Sequence, residues 1–253
     1  MAILIGSTGF VGGHLASNYS FDEQVHRSDV SKITGSVTDL LVCAGLPAEK
    51  WRANKEPAAD WANMSHLAQI LTTVDADRAV LVSTIDVYQP PVGVDESSPA
   101  NFDGTGAYGA NRAWFEAFFR AQFNDSLILR LPALFAHDVR KNLVHDLLHG
   151  RSDQWATVSP ASTFQFFDVT QTWNVIEQAW TQGTKLLNVS SEPVAAQEVA
   201  DIFDVTLQAR TAASTYDMRS RYAKEFGGSD GYLYTRASTL DGIAALREIE
   251  SRT

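Results

Sequence analysis

An α/β protein built on a doubly wound parallel sheet is predicted by three observations. Short continuous apolar runs, of the kind that line a sheet covered on both faces, alternate with longer stretches of helical spacing. The first run, Ala2 to Ile5, ends directly in Gly6-Ser7-Thr8-Gly9-Phe10-Val11-Gly12, the opening of a strand-turn-helix unit. Only eleven residues, Ser28 to Thr38, separate the second run from the third. A helix-plus-strand crossover takes about 20 or more, so the sheet is expected to lack one element.

In order along the chain, Gly12 to Asn18 reads as the start of a helix and Gln24 to Arg27 as the second strand. Asp39 to Ala44 is a buried strand. Asp60 to Val74 is a helix, with Trp61, Met64, Leu67, Ile70 and Leu71 at helical spacing. Ala79 to Ser83 is the next strand, followed by a loop rich in proline and glycine from Gln89 to Gly106. Ala107 to Phe123 is a helix with two adjacent apolar stripes, Trp114/Phe118 and Phe115/Phe119/Phe123. That face is wider than a sheet alone covers, which reads either as a deeply buried helix or, the favoured reading, as a helix shared between the sheet and a second subunit. Leu127 to Leu131 and Lys185 to Val189 are further strands.

A chain of 253 residues, 45% hydrophobic, buries a full-sized core. The expected division is a sheet domain over residues 1–150 and a small C-terminal substrate lobe over 151–253, with a return to the sheet near 185–190. A formal net charge of -10 argues against a sequence-independent nucleic-acid binder, which needs a basic face. Cys43 is the single cysteine, so no intramolecular disulfide forms and a reducing compartment is expected. The first residues lack a signal-peptide pattern, and no run approaches ~18 uninterrupted apolar residues. A cytoplasmic protein without a membrane partner is the expectation.

The glycine turn carries the first functional reading. Gly6 permits the tight turn, Gly9 lets backbone amides approach a pyrophosphate, and Gly12 allows close packing of helix on strand. The helix N-terminus favours the negative charge, and Ser7 and Thr8 add donors. This is the signature of a dinucleotide bound to a Rossmann sheet, here a reduced one. The second strand ends at His26-Arg27-Ser28, where an NAD site places a carboxylate for the ribose hydroxyls. Arg27 and Ser28 suit a 2′-phosphate instead, so NADP(H) is favoured as the cofactor. Asp29, one residue on, keeps NAD(H) open.

Taken together, the motifs resemble the extended short-chain dehydrogenase/reductase superfamily, in its branch of sugar-nucleotide epimerases, dehydratases and reductases. The carriers are the glycine turn, Cys43-Ala44-Gly45, Ser83-Thr84-Ile85-Asp86-Val87-Tyr88, Tyr108-Gly109-Ala110-Asn111-Arg112, Arg130-Leu131-Pro132 and Phe166-Phe167-Asp168-Val169. The resemblance implies that Tyr108 is the general acid/base on a sugar hydroxyl or ketone and that Thr84 hydrogen-bonds the same oxygen. It places Cys43, Ala44, Gly45, Ser83, Tyr108, Arg112, Leu131 and Pro132 beside the cofactor, and Asp86, Val87 and Asn142 beside a small-molecule substrate, a sugar or sugar nucleotide. It also implies a homodimer through the aromatic helix.

Three departures narrow the chemistry. The family has Lys four residues after the tyrosine, and this chain has Arg112, a cation that cannot release a proton at working pH. Thr84-Ile85-Asp86 replaces the Thr-Asp-Glu of the 4,6-dehydratases, which leaves 4-reduction or epimerisation. Phe164 stands where the family often has a phosphate-binding arginine, with Arg140, Lys141 and Arg151 nearby as substitutes. Two functions follow: a nicotinamide-dependent epimerase or reductase, in which Arg112 holds the nicotinamide ribose and biases the tyrosine, or a cofactor-binding regulator or scaffold that has lost catalysis.

No metal site is expected: His145 and His149 share a helix face but have no evident third ligand beyond Asp138 or Asp146. Gly-x-Ser-x-Gly and Gly-Lys-Ser/Thr motifs are missing, which argues against hydrolase and triphosphatase readings. Arg219, Arg221 and Lys224 precede an aromatic, glycine-rich stretch. That cluster reads either as a solvated face or as a lobe closing over an anion.

Overall fold

The structure is a computed structural model that describes residues 1–103, 106–208 and 210–250. Positions 104 and 105 of the expected loop, and 209 and 251–253 of the C-terminal part, lie outside the described residues. The chain forms two units: Met1–Pro90, Ser98–Arg130 and Thr170–Leu187 make the first, and Pro91–Ser97, Leu131–Val169 and Asn188–Thr253 the second.

β1 (Ala2–Ile5) runs through the glycine turn into α1 (Phe10–Asn18). β2 (Glu23–Val25) follows, then a 3-10 turn over Arg27–Ile33 and β3 (Val37–Cys43). The helices α2 (Lys50–Lys55) and α3 (Pro57–Leu71) precede β4 (Asp75–Thr84). After β5 (Val92–Val94), a strand of the second unit, come α4 (Gly106–Gln122) and β6 (Ser126–Leu131). The second unit continues with β7 (Ala133–Phe135), α5 (Leu143–Leu148), α6 (Ser152–Trp155), β8 (Thr163–Phe164) and β9 (Phe166–Asp168). The first unit is completed by α7 (Thr172–Thr181) and β10 (Leu186–Asn188), the second by β11 (Val194–Ala195), α8 (Ala196–Asp201), β12 (Asp217–Met218) and α9 (Arg236–Glu250).

The first unit is a six-stranded parallel sheet in the order β10-β6-β4-β3-β1-β2, flanked by helices: the doubly wound Rossmann arrangement. Ile3 pairs with Glu23 on one side and Leu41 on the other, so β1 lies between the strand that precedes the order reversal and the one that follows it. That reversal leaves a crevice outside the carboxyl ends of β1 and β3, the position where open α/β sheets bind ligands. β2 is an edge strand with no described strand beyond it, and its link to β3 contains only the 3-10 turn. The sheet is therefore short of one element, as the eleven-residue spacing predicts.

Burial explains most element boundaries and hydrogen bonding the rest. Ile3, Ile5, Leu41, Cys43, Leu81, Phe115 and Phe119 form the centre of one core, each at most 1% exposed. β4 starts at Asp75 rather than Ala79, because its polar first half is held by the ladder to Val37 and Thr38 and by the Asp75 N–H bond to Ser36 O, 2.9 Å. α1 starts at Phe10, two residues before the expected Gly12, because Gly9 is its N-cap. The two aromatic stripes of α4 separate. Phe115, Phe119 and Phe123 enter the core, whereas Trp114 and Phe118 stack on each other and Trp114 meets the edge of Trp61, itself 42% exposed.

The second unit has three small pairings: β7 with β9 and β5 with β12 in parallel, and β8 with β11 antiparallel. β5 was hidden inside the expected loop because its partner lies more than a hundred residues downstream. Glu96 clips these segments together, accepting from Asn188 N–H (2.8 Å), Ser220 Oγ (2.6 Å) and Arg221 N–H (2.9 Å). The amide of Gln165 donates to Ser191 O and Met218 O and accepts from Met218 N–H.

Candidate active site

At the carboxyl end of β1 the backbone is packed too closely for side chains. Gly6 has φ +90°, and a Cβ there would lie 2.6 Å from Ala44 O at the end of β3. A Cβ on Gly12 would lie 2.0 Å from Gly6 O. The turn is closed by Gly9 N–H to Gly6 O, 2.9 Å, and Ala44 N–H to Ile5 O, 2.9 Å, holds the end of β3 beside it. Gly9, the N-cap of α1, has no side chain to cap the amides of the first turn. A cradle that only glycines fit, ending on an uncapped helix N-terminus, is the shape and polarity a pyrophosphate requires. The residues present fit a dinucleotide.

His26, at the end of β2, brings its Nδ1 to 3.3 Å from Thr8 Oγ1 and 3.5 Å from Ser7 Oγ. Arg27 and Ser28 are exposed at the start of the 3-10 turn. Asp29 is engaged at both oxygens, accepting from His26 N–H at 2.6 Å and from Lys32 at 2.8 Å. The Lys32 ammonium, with the His26 amide, holds its carboxyl below the usual range. Asp29 thus caps the turn.

Tyr108 lies in the first turn of α4, only 8% exposed. Its N–H donates to Asn54 Oδ1 on α2, 2.9 Å, which anchors the start of the helix. Its phenol is hydrogen-bonded by Thr84, the last residue of β4. Thr84 Oγ1 in turn accepts from Asp86 N–H at 3.2 Å. Burial raises the Tyr108 pKa, Arg112 opposes it, Asp86 adds to the rise, and the Thr84 bond and Lys50 lower it, with a net shift above the ordinary value. At neutral pH the group is a phenol, an acid.

Arg112, one helical turn on, sits with its guanidinium carbon 3.9 Å from the Tyr108 ring centroid. Its charge is answered by Asp60 of α3, through contacts of 2.6 and 3.0 Å, with both side chains at most 3% exposed. It also donates to Pro47 O at 2.5 Å and Tyr108 O at 3.1 Å. The Nε of Arg112 is buried with no hydrogen-bond partner among the described residues, whereas both terminal nitrogens are engaged.

Behind the tyrosine a second buried pair ties α4 to the sheet. Glu116 accepts from Ser83 Oγ at 2.6 Å and from Arg130 Nε and a terminal nitrogen at 3.0 and 2.5 Å. Arg130 also donates to Tyr88 Oη at 2.5 Å. Burial works against charge on Arg130, but the hydrogen bonds and charge of Glu116 overcome it and the pKa lies above its ordinary value. The Ser83 hydroxyl is thereby committed. Cys43 is fully buried, with its thiol pushed up to about 12 by burial, so a cofactor contact from it, as from Ala44 and Gly45, falls to the main chain. Val87 is buried in the 3-10 turn after Thr84, whereas Asp86 keeps 18% of its side chain exposed and bonds Lys50 Nζ at 2.6 Å.

Leu131, Pro132 and Asn142 belong to the second unit. Leu131 and Pro132 are buried where β6 ends. Asn142, at φ 123°, caps α5 by accepting from His145 N–H (3.2 Å) and donates to Leu134 O (2.7 Å). Phe164 packs at a tilt against Phe166 and Tyr216, ring centroids 6.1 and 6.0 Å away. His145 and His149 stack on each other at 4.4 Å, and no group of three metal-ligating side chains occurs among the described residues. Arg219 pairs with Asp217 at 2.9 Å and lies over Tyr232. No described helix is long and apolar enough to cross a membrane.

Four neighbours of the site escape sequence reasoning: His26, Lys50, Asn54 and Asp60. Asp60 left one trace, since it shares the buried face of α3 with Met64, Leu67 and Leu71. An acid on an apolar stripe asks for a buried cation. The partners of the others are too far along the chain to show a pattern.

No protein-family model matches the sequence, and no curated protein matches it significantly. Solved structures match the whole fold. A dTDP-4-dehydrorhamnose reductase from Clostridium acetobutylicum superposes with a TM-score of 0.76 at 15% identity, covering 98% of this chain and 100% of its own. The Bacillus anthracis dTDP-4-dehydrorhamnose reductase, in complex with NADP, gives 0.71 at 17% identity over 97% and 96%. A UDP-glucose 4-epimerase from Thermotoga maritima, with UDP-glucose, gives 0.72 at 12% identity over 100% and 99%. The fold that the motif resemblance implies is present along the chain.

Proposed function

We propose that this chain is a nicotinamide-dependent reductase or epimerase acting on a sugar or related hydroxyl/keto compound, with NADP(H) favoured over NAD(H). The observation that carries the reading is the buried Tyr108 phenol beside Thr84, in the same unit as a glycine cradle shaped for a pyrophosphate. The nicotinamide, when bound, supplies or takes up the hydride. Tyr108 gives its proton to the substrate oxygen as a carbonyl is reduced and removes it in the reverse direction. Thr84 fixes the tyrosine oxygen. Arg112 lies against the ring face and keeps Nε–H for a ribose hydroxyl. His26, Ser7, Thr8 and the exposed Arg27 and Ser28 line the end where the adenosine phosphate belongs, and Asp29 is already engaged as a cap, which supports the NADP preference.

Asp86 and Val87, which follow Thr84, are the proposed substrate-side residues of the first unit. The substrate class proposed is a 4-keto sugar or its nucleotide, in keeping with what the similar structures are named for. A second copy of the chain is the proposed cover for the half-exposed Trp61, Trp114 and Phe118 face. The test is a spectrophotometric screen of NADPH oxidation against a panel of keto sugars and their nucleotides, with isomer analysis of UDP-hexoses. Hydride transfer or epimerisation of at least one member is expected. Tight NADPH binding without exchange across the panel identifies the second reading, a cofactor-binding regulator or scaffold. The observation favouring that reading is that the charge of Arg112 is spent on Asp60.

A further inference from the structure

Arg112 is paired with Asp60 and still favours ionisation of Tyr108, and the structure contains a second cation that acts in the same direction. α2 follows β3, and its Ala53 is buried. Lys50 and Asn54, four residues apart, share one face of this helix. Asn54 accepts from the Tyr108 amide at 2.9 Å, which fixes that face against the start of α4. Lys50, one turn earlier, donates to Asp86 Oδ1 at 2.6 Å. Asp86 N–H bonds Thr84 Oγ1 at 3.2 Å, and Thr84 bonds the Tyr108 phenol. A continuous chain thus runs from an ammonium 46% exposed to a phenol that is buried.

We propose that Lys50 is a positioning residue of the tyrosine site: it neutralises Asp86 and holds it so that Thr84 stays directed at Tyr108. This role rests on Tyr108 being the acid/base of the proposed function. The charged groups acting on the phenol are Arg112, Asp86 and Lys50, in two ion pairs, Arg112 with Asp60 and Lys50 with Asp86. The first is sealed. In the second, Asp86 opposes ionisation of Tyr108 and Lys50 favours it, so the carboxylate depends on its lysine to be tolerated next to a group that must pass through a phenolate. Lys50 thereby adds to Arg112 a second cation, carried on α2 by a side chain that meets solvent.

The test uses the whole protein with every tyrosine replaced by 3,5-difluorotyrosine, whose phenol ionises near neutrality, where lysine is fully charged. Fluorine NMR then reads the ionisation midpoint at position 108, assigned as the resonance lost in Tyr108→Phe. Lys50→Met is expected to raise that midpoint by about one pH unit and Lys50→Arg to leave it in place. Asp86→Asn lowers it, and Lys50→Met with Asp86→Asn returns it close to the starting value. Coincident midpoints in Lys50→Met and the unsubstituted protein, with equal melting temperatures, overturn the proposal. Should Lys50→Met fail to fold, Asp86→Asn reads the same coupling from the other partner, and an unmoved midpoint there overturns it equally. If instead Tyr108→Phe keeps full turnover, it is the function of Tyr108 that fails, a result the fluorine titration does not share.

Discussion

Glu116→Ala is expected to cost about 3–5 kcal/mol of stability, because it leaves Arg130 charged and buried without its partner. Glu116 is fully buried and Arg130 is 2% exposed. The same change removes the acceptor of the Ser83 hydroxyl, so two buried donors on adjacent strands β4 and β6 lose their bonds at once. Thermal unfolding followed by circular dichroism should show a fall of about 10 °C for a chain of this size. Glu116→Leu combined with Arg130→Met should recover much of the loss, since an apolar pair of similar volume avoids burying an unpaired charge. A melting temperature for Glu116→Ala within a degree or two of the parent protein would show that the pair is not buried as described. The consequence reaches the site, because Glu116 is two turns after Tyr108 on α4 and helps fix where that helix lies on the sheet.

The second large effect is catalytic. Tyr108→Phe removes one oxygen from a pocket whose other contacts remain: Asn54 still binds the backbone of residue 108, and Arg112 still lies over the ring. Turnover on a substrate found by the screen should fall by about 10²–10⁴, the usual contribution of a positioned acid/base. The affinity for NADPH should stay within about twofold, since the cradle at Gly6 and Gly12 is untouched and about 0.4 kcal/mol separates the two affinities. Turnover retained in Tyr108→Phe would sink the assignment. A joint loss of turnover and cofactor affinity would make the tyrosine a structural anchor for the start of α4.

Much of this architecture is legible in the residues. Ala2–Ile5 is a strand at both ends as read, since an unbroken apolar run followed by glycine leaves little freedom. The missing element between β2 and β3 follows from counting. The glycine turn was legible because its steric demand is local: Gly6 and Gly12 contact neighbours within a few residues or across one strand pair. Tyr108 and Thr84 were legible only as members of an ordered series of motifs. What stayed hidden is what depends on distant pairing. Arg112 and Asp60 are 52 positions apart, Lys50 and Asp86 36, and nothing local announces that an arginine will meet a buried acid or that a surface lysine will pair with the acid after Thr84. β5 was invisible for the same reason, a three-residue strand in a proline-rich segment whose partner is Asp217–Met218.

The account rests first on a dinucleotide whose pyrophosphate lies on the turn from Gly6 to Gly12, and calorimetric titration of the purified protein with NADPH and, separately, NADH tests that most directly. Saturable binding of one molecule per chain, tighter for NADPH, is the predicted result. Failure of both to bind, in protein that is folded by circular dichroism and carries no copurified nucleotide, would contradict it and leave a Rossmann sheet without its cofactor.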